Sequence, residues 1–328
     1  MSFDVLWISR EEIESLNITM PMVMDAVERG FAAVGGGDAE MPAKIGVHPR
    51  EDCFIHAMPC HVGGAVDRCG VKCVSGYPPN TSKGLPYISG VMVLNDPETG
   101  LPRAVMDAGW ITAWRTGAAS GVYAKHFGNP DTRTVAIVGT GVQGRVNLMA
   151  MRDVFPGLNH VNLYDVSEEQ IGNFLFDMQP ELPEAGFRVC RTLREACADA
   201  DVIITCTPIV EAPERPIAMD WIKPDALCIS VDYDAAFSDE IMRRGVFTVD
   251  NRGQYLWTQE QGVYFQNGYP VAEEIHSDMG EICAGLMAPV RDGLRGAVLM
   301  GIASHDVMTA SLIYDRATDK GLGTTVKL

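Results

Sequence analysis

The sequence predicts an α/β fold built on a doubly wound parallel sheet, joined to a smaller α+β region. Residues 134–144 read TVAIVGTGVQG, an apolar β-type run that opens into the spaced glycines Gly139, Gly141 and Gly144. From there to residue 249 short apolar runs alternate with helical segments, the pattern of parallel strands linked by crossover helices. Ahead of it, residues 44–94 form short strand-like runs punctuated by glycine, proline and asparagine. The 328 residues suit two domains at roughly 100–200 residues each.

In chain order, residues 11–34 carry apolar side chains at helical spacing, interrupted at Thr19-Met20-Pro21, where Thr19 is a candidate N-cap and proline falls in the first turn. Gly35-Gly36-Gly37 closes that helix. Strands are expected over 53–58, 70–74 and 87–94, then a turn at DPETG (96–100) and a partner strand over 102–106. Residues 111–127 read as a helix whose Gly117, Ala118, Ala119, Ser120 and Gly121 permit close packing, ending at Gly128-Asn129-Pro130. After the glycine loop come a helix (143–155), the strand HVNLY (160–164), a helix (168–178), a strand (187–190) and a short helix around Glu195. DVIITC (201–206) and ALCISV (226–231) are expected as buried parallel strands. A helix over 238–244 and a last strand over 246–249 complete the alternation.

The glycine loop has a strand before it, a helix after it and Asp165 at the end of the next strand, the context required of a Rossmann-type dinucleotide site. The first glycine permits the tight turn, the second admits backbone amides to a pyrophosphate, and the third lets helix pack on strand. The diphosphate then meets the free N–H groups and positive dipole end of the helix. Asp165, about 20 residues beyond the loop, suits a carboxylate bonded to ribose hydroxyls. It would repel a 2′-phosphate, and residues 164–167 offer no arginine or lysine to pair one, so NAD is favoured over NADP. Ligands in such sheets bind beyond the carboxyl ends of the strands, which singles out Thr207, Asp232 and Asp234.

A net charge of −17, with the carboxylates dispersed, repels a phosphate backbone and excludes nucleic acid as an expected partner. No basic-then-apolar leader and no apolar run near 18 residues stands out, so no membrane association and a cytoplasmic location are expected. The nine cysteines suit reduced, mostly buried thiols. Cys53, His56, Cys60, His61, Cys69 and Cys73 cluster in sequence but match no paired-ligand spacing, so no metal site is expected.

Several stretches resemble the ornithine cyclodeaminase and mu-crystallin family, which includes alanine dehydrogenases and cyclic-ketimine reductases. They are MPAK (41–44), GVKCVSGYPPN (70–80), GLPYISGVMVL (84–94), DPETGLPRAVMD (96–107), ITAWRTGAASG (111–121), the glycine loop, VDYDAAFSDEI (231–241), GIASHD (301–306) and YDRATDKGLG (314–323). The resemblance spans nearly the whole chain. It implies a homodimer in which a discontinuous α+β substrate-binding and dimerisation domain, residues 1–126 with 307–328, receives the NAD-binding domain, 127–306, as an insertion.

Carried over by position, Arg115 resembles the family's carboxylate-binding arginine, and its planar fork suits a bidentate grip. Lys72 resembles the lysine beside the reacting carboxylate and amine, and Lys44 a second cation. Asp234 falls on the aspartate that handles the amine proton, making Asp234 and Lys72 the catalytic candidates. Asp232 lies two positions away, on the same side of an extended chain, and the family usually has glycine there, so one of the two carboxylates is left to cap the following helix. Thr116, Val231, Thr207 and Asp232 join Gly139, Thr140, Gly141, Val142, Gln143, Gly144 and Asp165 as expected cofactor contacts. Two departures bear on substrate: His56 stands where the cyclodeaminase has a glutamate, and Tyr87 where a threonine contacts the carboxylate. His56 is either a substrate contact or a core histidine.

The activity implied is an NAD-dependent amino acid dehydrogenase or imine reductase, moving hydride at the amine- or imine-bearing carbon of a small amino or imino acid. Holding the carboxylate orients that carbon, and a carboxylate must take the ammonium proton before hydride can leave. Two alternatives remain open: a cyclising ammonia-lyase that converts ornithine to proline with catalytic NAD, and a non-catalytic ligand-binding protein.

Overall fold

A computed structural model describes residues 2–328, and the chain divides into two compact units: residues up to Arg115 together with Ile302–Leu328, and Thr116–Gly301. These junctions fall earlier than the boundaries after residues 126 and 306 expected from sequence.

In the first unit, β1 (Asp4–Ile8) leads into α1 (Arg10–Ser15), started by a capping box in which Ser9 and Glu12 exchange side-chain and backbone hydrogen bonds. Helix α2 (Met20–Gly36) has proline in its first turn and ends at Gly37, whose left-handed φ of 80° suits glycine. Thr19 stands at its N-cap without a side-chain hydrogen bond to the helix. Strands β2 (Ala39–Glu40), β3 (Ile45–Val47), β4 (Phe54–Val62), β5 (Arg68–Gly76), β6 (Ile88–Asn95) and β7 (Pro102–Asp107) follow. Antiparallel pairing joins β4 to β5, β5 to β6 and β6 to β7. One face of this ladder, with Met58, Val74, Met92, Leu94, Ala104 and Met106, is buried.

Helix α3 (Ala108–Phe127) carries the chain onward. Its Gly117 lies so close to the next helix that a Cβ there would sit 2.6 Å from the Val146 carbonyl oxygen. This packing places the later part of α3 with the second unit and explains the earlier junction.

The second unit begins with β8 (Thr134–Val138), α4 (Val142–Val154), β9 (His160–Tyr164), α5 (Glu168–Met178), β10 (Gly186–Val189), α6 (Leu193–Cys197) and β11 (Val202–Thr205). It continues through β12 (Leu227–Ser230), α7 (Asp239–Arg244), β13 (Val246–Val249), α8 (Arg252–Glu260), β14 (Ser277–Asp278), α9 (Met279–Cys283) and β15 (Arg295–Val298). The sheet is parallel, in the order β10-β9-β8-β11-β12-β15-β13-β14. The alternation therefore does not end at residues 246–249, because β15 enters between β12 and β13. Its arginine start hides the strand from a search for apolar runs. Arg295 is nonetheless buried and donates to main-chain carbonyls, including that of Phe127 at 2.9 Å.

The chain then returns to the first unit as α10 (Ala303–Lys320) and β16 (Thr324–Lys327). Helix α10 packs on α2, β4, β5 and β6, and β16 pairs antiparallel with β1. Residues 303–311 of α10 are all buried, which explains why the junction precedes the helix rather than falling inside it. Among the described residues no helix is long and apolar enough to cross a membrane.

Gly117→Val should lower stability by about 1–3 kcal/mol through overpacking against the α4 backbone. Chemical denaturation read by second-unit fluorescence tests this, and an unchanged midpoint would contradict the close packing.

Candidate functional site

The first unit buries two cations on one carboxylate. Lys72 occupies the centre of β5, between Met58 on β4 and Met92 on β6, and is fully buried. Its Nζ donates to Asp306 Oδ1 at 2.7 Å, and Arg115 Nε on α3 donates to the same oxygen at 3.1 Å. Asp306 Oδ2 is buried without a partner. Lys72 therefore does not snorkel to solvent, and Arg115 is neither a surface charge nor a loose ion pair. The neighbouring His305 is fully buried with both ring nitrogens unpartnered and its ring edge-on to Phe31 at 4.2 Å. Burial first, then Arg115 and Lys72, push its pKa well down, so it adds no charge.

Two cations and one carboxylate leave this core with excess positive charge whenever Lys72 is protonated. Burial, followed by the Arg115 charge, lowers Lys72 from its ordinary value to about 7, against the opposing pull of Asp306. An incoming carboxylate would balance the charge and favour the protonated lysine. Asp306 was not selected from sequence, although GIASHD was part of the resemblance. The signal was present: an aspartate inside ASHDVMTASLI, where the helix is apolar around it, needs a buried partner.

The other expected substrate residues lie in the same unit. Lys44 is half-buried just ahead of β3. His56 on β4 stacks on Phe54 at 4.2 Å, and its ring fills the space that a Cβ on Gly46 would need. Burial, then Lys44, His48 and Lys72, lower its pKa to about 3, so the imidazole is neutral at pH 7. Tyr87 is half-buried, and burial raises its phenol above the ordinary value. All nine cysteines are free; Cys60 is buried, with its thiol pushed up to about 12, whereas Cys73 is exposed.

In the second unit the glycine loop connects β8 to α4. Gly139 has φ 95°, and a Cβ on Gly144 would meet the Gly139 carbonyl oxygen at 2.4 Å. Gly141 is the N-cap of α4, makes no side-chain cap and has open space where a Cβ would stand. The helix therefore presents its first-turn amides, including those of Val142 and Gln143, without a side chain covering them. Asp165 Oδ2 accepts from Thr140 N at 2.7 Å and Thr140 Oγ1 at 2.9 Å, while Oδ1 accepts from Ser167 N at 3.0 Å. This fixes a carboxylate beside the loop, as a dinucleotide's ribose requires. One cation nearby escaped the sequence reading: Arg145 bonds Asp177 at 2.7 Å and the Thr140 carbonyl.

Asp232 and Asp234 do not share a side of an extended chain. Tyr233 between them has a left-handed φ of 64° in a turn beyond β12, and it sends the two carboxylates to different neighbours. Asp232 accepts from Thr205 Oγ1 (2.6 Å), Ser230 Oγ (2.8 Å), Thr207 N (3.0 Å) and Thr207 Oγ1 (2.5 Å). It ties the carboxyl ends of β11 and β12 together instead of capping a helix, and burial raises its pKa against those bonds. Val231 N donates to the Thr205 carbonyl at the same edge. Thr116 is buried on α3. Asp234 pairs through Oδ2 with Arg215 at 2.6 Å, leaving Oδ1 buried and unpartnered.

A doubly wound sheet with this loop and acid defines a dinucleotide-fold protein whose companion unit carries two buried cations on one carboxylate. The chain belongs to the ornithine cyclodeaminase/mu-crystallin family, whose sequence model matches residues 5–321. It is 32% identical to alanine dehydrogenase of Archaeoglobus fulgidus over 335 aligned positions, covering 99% of this chain and 98% of that one. The structure of Thermococcus litoralis Δ1-pyrroline-2-carboxylate reductase in complex with NADH and L-proline matches with a TM-score of 0.88 and 31% identity, over 98% of this chain and all of that one. An archaeal alanine dehydrogenase dimer with bound NAD matches at 0.85 and 30%, over 99% of each chain.

Asp306→Asn should cost about 3–5 kcal/mol at pH 6, where both buried cations lose their counter-charge. The loss should shrink toward pH 9, because Lys72 titrates below its ordinary value and sheds its proton in the folded state first. Urea titrations at the two pH values check both size and direction.

Proposed function

We propose that the protein is an NAD-dependent amino acid dehydrogenase or imine reductase, acting at the amine- or imine-bearing carbon beside a carboxylate. The observation that carries this reading is the buried Lys72–Asp306–Arg115 cluster, one negative charge short of balance. The named activities of the relatives, on alanine and on pyrroline-2-carboxylate, lie within that chemistry.

Arg115 and Lys72 hold the substrate carboxylate, Arg115 through its fork and Lys72 as a point charge. Asp306 keeps both side chains in place, and Lys44 adds positive charge to the same unit. His56, neutral and packed, takes the place of an acidic group, so the reading favours a small or uncharged substrate side chain over a diamino acid. The Gly139–Gly144 loop amides and Asp165 hold the dinucleotide, with Thr116, Thr207, Val231 and Asp232 completing its surroundings. NAD fits better than NADP because an Asp165 carboxylate held beside the loop would repel a 2′-phosphate and Arg145 is engaged by Asp177. The bound nicotinamide supplies or removes the hydride. Asp234 takes the proton from the substrate ammonium, or returns it to the amine nitrogen once the imine is reduced, through its unpartnered Oδ1.

The face of the first sheet opposite the buried one carries Pro59, Val71, Val93 and Val105 in register across β4 to β7, with Pro59 exposed and Val91 39% exposed beside them. This apolar row supports a homodimer formed through the first unit.

With NADH, pyruvate plus ammonia or a cyclic imino acid such as pyrroline-2-carboxylate should be reduced, with falling absorbance of the reduced cofactor. No oxidation across a panel of keto and imino acids would sink the proposal, and proline plus ammonia from ornithine without net cofactor change would replace it with the lyase. Arg115→Ala should reduce kcat/KM at least about 100-fold while NADH affinity holds. For the unmodified enzyme kcat/KM should decline as the pH rises through about 7, where Lys72 loses the charge that binds the carboxylate. Lys72→Gln should remove that limb.

A further inference from the structure

Arg215 was not selected from sequence and lies in the second unit, on the segment that leaves the carboxyl end of β11. Its guanidinium is held from several directions. Nη2 donates to Asp234 Oδ2 at 2.6 Å and to the Gln266 carbonyl at 2.7 Å, and Nη1 donates to the Asn267 carbonyl at 3.0 Å. Nε points to the Asp234 carbonyl at 3.3 Å, and the guanidinium carbon stands 4.6 Å from the centre of the Tyr269 ring. Asp234 Oδ2 also accepts from Phe265 N at 3.0 Å. Both hydrogen bonds therefore fall on one carboxylate oxygen, and Oδ1 is left buried with none.

The backbone around this carboxylate is strained in a way that serves the arrangement. Arg215 (φ 51°), Tyr233 (64°), Phe265 (63°) and Asn267 (56°) all occupy the left-handed region without being glycine. Conformations of that kind are costly for residues other than glycine and persist where the surrounding structure over-determines them. Here they deliver one amide, two carbonyls and one arginine to the neighbourhood of a single side chain.

We infer that Arg215 is the positioning residue for proton transfer: it clamps Oδ2 of Asp234 so that Oδ1 alone is left without a partner and able to exchange a proton. The inference rests on the proposed role of Asp234. In the oxidative direction Oδ1 takes a proton from the substrate ammonium, the C–H bond breaks with hydride passing to NAD⁺, and the nitrogen lone pair closes the C=N bond. Reduction reverses each step, with the proton returned from Oδ1 to nitrogen. Nearby, Asp232 is bound to threonine and serine donors, and Tyr255 and Tyr269, whose phenols burial pushes up, donate to the Pro270 and Phe237 carbonyls.

The test compares Asp234→Asn, Arg215→Met and Arg215→Lys by steady-state kinetics across pH, with NADH binding followed by fluorescence. Arg215→Met should lower kcat by about 10- to 100-fold while KM and NADH affinity stay within about twofold. Arg215→Lys should restore part of the lost kcat. Arg215 also lines an open cavity of about 540 Å³ with Glu211, Glu214 and Asp239, so guanidinium ion added to Arg215→Ala should find its way in and recover activity. An unchanged kcat in Arg215→Met overturns the inference, as does a loss that merely parallels weakened NADH binding. If Asp234→Asn keeps full turnover, the Asp234 reading itself fails; if that variant is dead and Arg215→Met is normal, only the role of Arg215 falls.

Discussion

One buried carboxylate shared by two cations organises the first unit. Asp306 reaches Lys72 from α10 and Arg115 from α3, so three segments far apart in the chain meet at one oxygen. Removing charges from water is costly, and the bonds to Asp306 offset that cost only in part, as the lowered pKa of Lys72 records. An arrangement tuned for stability alone would have matched the charges. The excess positive charge is the feature on which the proposed carboxylate-binding role rests.

The second unit is governed by the ends of its strands. A parallel sheet directs its carboxyl edge toward one side, and the loops there carry the chemistry. Asp232 spends its hydrogen-bonding capacity on holding β11 and β12 together, whereas Asp234 keeps one oxygen free. Two aspartates separated by a single residue thus have different work, and the left-handed turn at Tyr233 separates them. The glycine loop follows the same logic: Gly139 and Gly144 accept contacts that no side chain would tolerate, and Gly141 leaves the end of α4 open to a ligand.

The residues also explain where sequence reading succeeded. Strands β8, β9, β11 and β12 are continuous apolar runs buried in a parallel sheet, and helix α3 shows its small residues plainly, so periodicity and composition sufficed. Strand β15 did not announce itself, because its first residue is an arginine whose terminal nitrogens donate to main-chain carbonyls, including that of Phe127. Asp306 was overlooked for a related reason. A charge inside an apolar helix implies a partner without naming it, and the partners lie more than 190 positions away.

What the sequence determined by itself was local: the glycine spacing with its acid, the succession of strands and helices, and the motifs that mark the family. Asp165 could be singled out from its spacing after the glycine loop, whereas Lys72, Arg115 and Asp234 were singled out through the motifs that resemble the family. The tertiary structure alone decided which groups share a proton or a charge. Asp306 between Lys72 and Arg115, Arg215 on Asp234, and the parting of Asp232 from Asp234 depend on long-range packing and on positive φ at residues such as Tyr233 that residue type does not advertise. Local preference sets which conformations are inexpensive; only the folded chain brings distant charges close enough to impose the expensive ones.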